Sequence, residues 1–467
     1  MVALDNTTPL DESSPEAREW LSTLQGNILK FHGRSHAVHL FFAFRPEASV
    51  ADRGATLRTA SAYVTSAQTQ LDQVTNLHAN NELAGLFGHL ALSASGYRGL
   101  GRDPAVLFPE PATMDPDEAR IASTFATRMR DTGPADFGDA PGTWESPYRE
   151  DIAGVLILAL DDPAALAAHV AAARHTLEAT CRVVAEETGH VVRDPKTRKG
   201  IEPFGFVDGR SQPLFLRRDF AGSPPATWDP FAPLGLVLIP DPAMASDPRC
   251  HGSFMAYRKL DQNVRGFRAA VEELGTRLTP PDVERAGALV VGRFKDGTAL
   301  QVAGAPQGLQ EADNDFDYIG DPHGARCPFQ GHVRKVNPRG SGPTIDKAGH
   351  RKRRLTRRGM VYGTEVPVVP ENGPLPEAGV GLLFMCYQAS VRKQFAFVQK
   401  IWSNTPTFPR GNVGVDAVIG GDGIRYCHAW PATWNELDPV AFEFRSFVRV
   451  LGGEFFFAPS IPFFQQL

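Results

Sequence analysis

Residues Gly154–Thr180 read GVLILALDDPAALAAHVAAARHTLEAT. The run Gly154–Leu160 is apolar and the length of a buried strand. Asp162 is placed to cap a helix, Pro163 suits its first position, and Ala164–Thr180 continues in helix-favouring residues. A buried strand running straight into a capped helix is the unit of a chain that layers helices on a sheet. Working toward the N-terminus, Leu90–Leu100 (LALSASGYRGL) reads as a strand followed by a helix, and Ala37–Phe44 (AVHLFFAF) as the first strand. The first part of the chain therefore alternates strands and helices in an α+β manner. Residues 101–150 are rich in Pro, Gly and Asp and read as a long irregular insertion, and the first 20 residues as a loose leader.

Toward the C-terminus, Asp194–Pro230 has few periodic signals. Leu234–Ile239 and Ala288–Phe294 read as strands, and Asp261–Leu274 as helical. Gly381–Tyr387 reads as a strand before a helix over Ser390–Ser403, and Glu443–Leu451 and Glu454–Ile461 as two closing strands. The second half thus repeats the strand and helix content of the first without a visible sequence repeat, so any duplication is structural.

The chain has 467 residues, 42% hydrophobic and 22% charged, the composition of a globular protein. A net charge of −5 excludes a general nucleic-acid binder. No apolar run reaches the length of a membrane span. The opening MVALDNTTPLDESSPEAREW has no apolar h-region, so neither a secretory signal nor a transit peptide is expected. The location expected is cytoplasmic, with export by another route left open, and the sequon Asn6-Thr7-Thr8 is expected to be chance. The cysteines Cys181, Cys250, Cys327, Cys386 and Cys427 are scattered with no CxxC, which suggests reduced thiols and no cysteine-built metal site. Cys386, in LFMCY, reads as a small buried apolar residue.

Three segments carry the chemistry. Arg326–Arg339 reads RCPFQGHVRKVNPR. A lone histidine is ordinarily a satisfied near-surface residue, but His332 stands between Phe329 and Val333, and a neutral imidazole against an apolar wall suits haem iron. Arg334, Asn337 and Arg339 offer donors for two carboxylates such as the haem propionates. Asp208 lies in GFVDGRSQP, where Asp-Gly is a turn dipeptide. Equally, it is a carboxylate between glycines that allow close approach, able to carry a proton between the oxygens of hydrogen peroxide. The run His350–Arg358 (HRKRRLTRR) holds six Lys or Arg residues. Arg351–Arg354 read as a solvated face, whereas Arg357, between Leu355 and Gly-Met-Val-Tyr, reads as partly buried and in need of a partner. There is no GxxxxGK[ST] loop, HExxH helix or GxSxG elbow. His32, His36 and His39 read as structural.

Seven segments, LQGNILKFHGRSHAVHLFF, LSASGYRGLG, GFVDGRSQP, RCPFQGHVRKVNPR, LTRRGMVYG, GLLFMCYQ and GGEFFFAPS, resemble in order those of the dye-decolorizing peroxidase family. GFVDG fits its GxxDG signature, and the insertions resemble the longer subfamily found in fungi and some bacteria. The resemblance implies an α+β fold of two ferredoxin-like domains, antiparallel sheets flanked by helices, over residues 20–220 and 221–467. The C-terminal domain would bind haem b, with residues 205–209 facing it. His332 would be the axial iron ligand, Asp208 the distal acid–base, and Arg357 the distal arginine, with Arg358 the alternative. Gly209, Arg210, Ser211, Asn337, Pro338 and Arg339 would line the haem and its propionates, and Leu382 and Phe384 its distal face. Asp416, in GVDAVIG, would take the other N–H of His332, with Asp422 a second candidate. Tyr362 and Trp402 would be surface electron-transfer residues. The implied partners are hydrogen peroxide with dyes, phenols, other aromatic reductants or Mn²⁺, on a monomer or homodimer. The rival reading is a haem-binding or haem-trafficking protein, which would keep His332 and the propionate cluster but would not need Asp208 and Arg357.

Overall fold

The computed structural model describes residues 2–6, 8–80, 84–194, 198–220, 232–308, 314–342, 346–363, 374–421 and 427–467. Its strands are β1 His36–Phe44, β2 Phe87–Ser93, β3 Gly154–Leu160, β4 Cys181–His190, β5 Ile239–Pro240, β6 His251–Gln262, β7 Thr356–Arg357, β8 Met360–Tyr362, β9 Gly381–Gln388, β10 Cys427–Pro431, β11 Pro439–Glu443 and β12 Val448–Ala458. Strands β10 and β11 form a separate hairpin. The others run β5-β6-β12-β2-β3-β1-β4-β8-β9-β7, and β9 also pairs with β6, so eight of them close a ring.

The ring has two equivalent arcs. In the first, β2-β3-β1-β4, strand β1 is followed by helices Val50–Ala60 and Ala67–Asn80, and β3 by helix Pro163–Glu178. In the second, β12-β6-β9-β8, strand β6 is followed by helices Val264–Thr276 and Val283–Val291, and β9 by the π-helical stretch Arg392–Ser403. Each arc is antiparallel and follows the β-α-β-β-α-β order of a ferredoxin-like unit.

Register decides which face each side chain takes. His39 stands opposite Ile157 and Glu187, Ile157 opposite His89, and Met255 opposite Phe456 and Tyr387. With Phe41 and Tyr257 these fill the inside of the ring. The alternate residues of the second arc face outward, under the helices: Leu382 and Phe384 on β9, Arg258, Leu260 and Gln262 on β6, Val448 and Val450 on β12.

Several sequence expectations need correction. The supposed leader contains helix Pro15–Thr23, capped by Ser14, with Trp20 and Leu21 buried and Trp20 Nε1 donating to His251 Nδ1 at 3.1 Å. Ala288–Phe294 falls mostly in helix Val283–Val291, because Asp282 caps its start and Gly292, at φ +96°, ends it. A short apolar run does not by itself separate strand from helix. Leu234–Ile239 is a single 3₁₀ turn at Leu234–Leu236 running into β5. The two closing strands are largely one, β12, with an irregularity between Val450 and Gly452. Strands β4 and β6 carry so many polar residues that no apolar run marks them. Arg353 and Arg354 are not a solvated face: Arg353 is ion-paired with Asp115 at 2.8 Å and Glu118 at 2.6 Å, and Arg354 is buried. Cys181, Cys250, Cys327 and Cys386 are free and buried. Thr7 and Asp422 lie outside the described residues.

Candidate active site

A cavity of two lobes opens on the outer face of the second arc. Both lobes share Asp208, His332, Val336, Leu355, Arg357, Val398 and Val418. One lobe adds Arg210, Arg293, Arg353, Arg354, Ser211 and Asn337. The other adds mainly apolar walls, among them Phe137, Leu260, Leu382, Phe384, Phe395 and Val450.

His332 begins the short helix His332–Val336 directly after Gly331. A Cβ at Gly331 would come within 2.8 Å of Leu289 O, so glycine lets this turn press against the neighbouring helix. His332 Nδ1 lies 3.0 and 3.2 Å from the two carboxylate oxygens of Asp416. A carboxylate only accepts, so Nδ1 carries the hydrogen and Nε2 is left with a free lone pair. Asp416 is buried, and its Oδ1 also accepts from Val418 N at 2.8 Å and Ile419 N at 2.9 Å. Burial works against its charge, but His332 and these hydrogen bonds outweigh it and hold the carboxyl below its ordinary range.

The loop carrying Asp208 is held by backbone bonds from Val207 N to Lys295 O (3.1 Å) and from Asp208 N to Gly200 O (3.0 Å). Gly209, at φ +76°, turns the chain away and donates its N–H to Asp208 Oδ1 at 2.6 Å. Arg357 sits on β7 opposite Cys386. Its N–H donates to Gln212 Oε1 at 3.0 Å and its guanidinium to Arg210 O, so the Asp208 segment and β7 are tied together. Arg358 points the other way. It is buried, donates to Asn27 O at 2.8 Å and Ile28 O at 3.1 Å, and burial lowers its pKa to about 10. The register thus leaves Arg357 at the cavity.

Leu382, Phe384, Gly209, Arg210, Ser211 and Asn337 all line the cavity. Arg334 does not. It is buried between the rings of Tyr318 and Phe329, ion-paired with Asp321 at 2.7 Å and bonded to Ser341 Oγ at 2.9 Å. Arg339 stands one bond back: it donates to Asn314 O at 2.8 Å, Phe316 O at 2.9 Å and Ser211 Oγ at 3.0 Å. Pro338 is buried and its carbonyl accepts from Ser341 N at 2.7 Å, which makes it a turn rather than a wall. Neither Tyr362 nor Trp402 is on the surface. Tyr362 is 7% exposed and donates to Asp261 Oδ1 at 2.9 Å. Trp402 is 4% exposed and stacks on Phe408 at 5.4 Å.

Among the cavity residues missed in the sequence are Arg293 and Glu202. Arg293 is buried and bonds to neutral oxygens, Ser211 Oγ at 3.0 Å, Asn314 Oδ1 at 2.9 Å and Gly297 O at 2.9 Å. Burial first, then Arg339, Arg210 and Arg357, push its pKa down to about 9. Its signal was hidden because the preceding helix reads as a strand. Glu202 accepts from Phe204 N, Phe206 N and Gln262 Nε2, each at 2.9 Å, and burial raises its pKa to about 7. Its position six residues before Asp208 was the available clue.

The cavity can be tested against haem. Crowded guanidiniums call for a ligand with more than one anionic group, apolar walls call for a flat hydrophobic body, and His332, with one bare imidazole nitrogen, lines both lobes. Haem meets all three demands. Among the described residues no group of three or more His, Cys, Asp or Glu stands ready for a metal ion, and no helix is long and apolar enough to cross a membrane.

No family model matches the chain. Against characterised proteins it is 37% identical to the multifunctional dye peroxidase DyP2 of Amycolatopsis sp., over 100% of both chains. It is 27% identical to a dye-decolorizing peroxidase of Auricularia auricula-judae, over 97% of this chain and 88% of that one. Among solved structures, a DyP-type peroxidase of Anabaena sp. superposes with a TM-score of 0.88 at 34% identity, covering 100% of this chain and 99% of that one.

Proposed function

The chain belongs to the dye-decolorizing peroxidase family, and is a haem-dependent peroxidase that oxidises dyes. From that premise we propose how its own residues divide the work. Haem b, when bound, supplies the iron at which peroxide is cleaved and the oxidising equivalents are held. His332 would offer Nε2 to that iron, with Asp416 fixing the ring's tautomer and orientation through Nδ1. Arg210, Arg293 and Asn337 hold the propionates, with Arg339 bracing Ser211 from behind.

With haem bound, Asp208 would be the group that accepts a proton from hydrogen peroxide and returns it to the departing oxygen. Arg357 donates to the charge that develops as the O–O bond breaks. Leu382 and Phe384 keep this side of the pocket apolar. Dyes and aromatic donors then return electrons one at a time. Tyr362 is proposed as a buried relay, its phenolic proton held by Asp261, and Trp402 as a second. Mn²⁺ is proposed as a further reductant. The haem-binding unit is proposed as residues 221–467 with the loop 205–209 from the preceding unit.

The observation that supports this reading is that His332, bonded to Asp416, lines the same cavity as Asp208 and Arg357. The test is the visible spectrum of haem-loaded protein before and after one equivalent of hydrogen peroxide. The Soret band should change on peroxide and recover when a dye is added. In Asp208→Ala and Arg357→Leu the haem should stay bound while the peroxide step slows by about 10²–10⁴-fold. Unaltered turnover in both variants refutes the assignment.

A further inference from the structure

The ring of strands has an unusual interior, and one pair in it is built for chemistry the peroxide step does not use. Tyr387 projects inward from β9, and its hydroxyl lies 2.9 Å from His89 Nε2 on β2, so the pair bridges the two arcs. The other ring nitrogen, His89 Nδ1, lies 3.1 Å from Gly26 O. A carbonyl oxygen can only accept, so Nδ1 carries the hydrogen. Nε2 is therefore bare, and the hydrogen bond runs from the phenol to the imidazole. Both side chains are fully buried, and burial keeps His89 neutral by lowering its pKa to about 4.

The pair stands just behind the cavity wall. Tyr387 is three residues along β9 from Phe384, which lines the cavity, a span of roughly 10 Å at about 3.3 Å per residue. The intervening Cys386 pairs directly with Arg357. We propose that Tyr387 and His89 form a redox site that takes up an oxidising equivalent from the haem when no external reductant is present. The proposal rests on the haem reading of the cavity. Tyr387 gives one electron to the peroxide-oxidised haem, and its phenolic proton crosses the 2.9 Å bond to His89 Nε2. The products are a neutral tyrosyl radical, an imidazolium and a haem reduced by one electron. An electron from an arriving dye restores the phenol, and the proton returns.

This site differs from Tyr362 in what surrounds it. The acceptor of Tyr362, Asp261, also bonds Gly379 N at 2.8 Å and lies 3.5 Å from Arg449, whose side chain is 59% exposed, so that path leads outward. Tyr387 is enclosed, as a place to hold an equivalent requires.

The experiment is freeze-quench electron paramagnetic resonance on haem-loaded enzyme mixed with peroxide alone, with the Soret response recorded on the same samples. A tyrosyl signal is expected in the parent protein and in Tyr362→Phe. It should be lost in Tyr387→Phe, and reduced several-fold in His89→Gln, where the phenol remains but the base is gone. Haem bleaching under excess peroxide should be several-fold faster in both of the latter variants. A signal of unchanged shape and yield in Tyr387→Phe or His89→Gln, or no tyrosyl signal in the parent while its Soret band responds, overturns the proposal. A Soret band unmoved by peroxide would instead overturn the haem reading on which the proposal stands.

Discussion

Replacing Asp416 by Asn changes almost no volume but reverses one hydrogen-bonding atom, and the structure says which. Oδ1 is pinned by Val418 N at 2.8 Å and Ile419 N at 2.9 Å, so the amide oxygen of Asn should stay there. The NH₂ then occupies the place of Oδ2, 3.0 Å from His332 Nδ1, donor facing donor, and leaves Nδ1 only the longer 3.2 Å contact with the oxygen at Oδ1. The ring relieves the clash by carrying its hydrogen on Nε2, and that is the nitrogen the iron needs. Loss of such a partner behind a metal-bound histidine costs about 10–100-fold in affinity, or roughly 1.4–2.7 kcal/mol. Ala would be the poorer probe, because it also removes the acceptor of the half-buried N–H groups of Val418 and Ile419. The assay is a Soret titration of apoprotein with haem, followed by spectroelectrochemistry of the loaded form. Asp416→Asn should bind haem at least tenfold more weakly and raise the reduction potential, since the imidazole loses its carboxylate partner. Affinity and potential both equal to the parent's would refute the argument that Asp416 acts through His332.

Arg334→Leu should leave Asp321 a buried, unpaired carboxylate and cost about 3–5 kcal/mol in denaturant unfolding, with haem affinity of the folded protein unchanged. A stable variant that loses haem would restore Arg334 to the propionate site. Arg357→Leu and Arg358→Leu should separate cleanly: the first loses turnover and keeps its melting temperature, and the second does the reverse, because Arg358 bonds the carbonyls of Asn27 and Ile28. Glu202 and Glu454 are each raised by burial to about 7, so between about pH 4.5 and 7 the folded chain holds protons that the unfolded chain has released. Stability should fall as pH rises through that window, by up to about 3 kcal/mol for each group, and Glu202→Gln should flatten the slope in unfolding curves at pH 5 and pH 8. His89 and His39, lowered by burial to about 4 and about 3, act oppositely: their contribution is present above about pH 6.5 and is lost as pH falls through those values, which unfolding curves between pH 6.5 and 3.5 should record.

What could be read in the chain, and what could not, follows from how local each signal is. Asp208, His332 and Arg357 each sit in a short segment whose neighbours advertise the setting: glycines around the carboxylate, apolar residues beside the imidazole, a buried-looking turn after the arginine. The strand–cap–helix unit at Gly154–Glu178 was legible for the same reason. Arg334, by contrast, lies two residues from His332 on one short helix, and proximity in sequence suggested a shared ligand. A helix turns 100° per residue, so the two side chains leave it in different directions, and Arg334 ends between Tyr318 and Phe329. Arg357 and Arg358 differ in the same way: Arg357 is on β7 and meets the cavity, while Arg358, directly after the strand, bonds the carbonyls of Asn27 and Ile28. The pairing of β7 with β9 decides that Arg357 meets the cavity, and no local pattern carries that information.

The ring itself explains why strands β4 and β6 escaped notice. A strand with one face on a purely apolar core alternates visibly, whereas β6 puts Arg258 and Gln262 on the cavity side and Tyr257 and Lys259 on the inside. Lys259 is kept there by Glu187 at 2.9 Å and Glu145 at 2.8 Å, and Glu187 in turn accepts from Tyr148 at 3.1 Å. Buried polar groups of this kind are tolerated where they find partners from elements far away in sequence, as Lys259 and Glu187 do across the ring. The same cross-ring pairing joins Tyr387 of one arc to His89 of the other. A chain that had evolved only to close a barrel would fill it with aliphatic side chains at lower cost. The hydrogen-bonded phenol and imidazole kept behind the cavity wall are what the proposed Tyr387–His89 redox site would use.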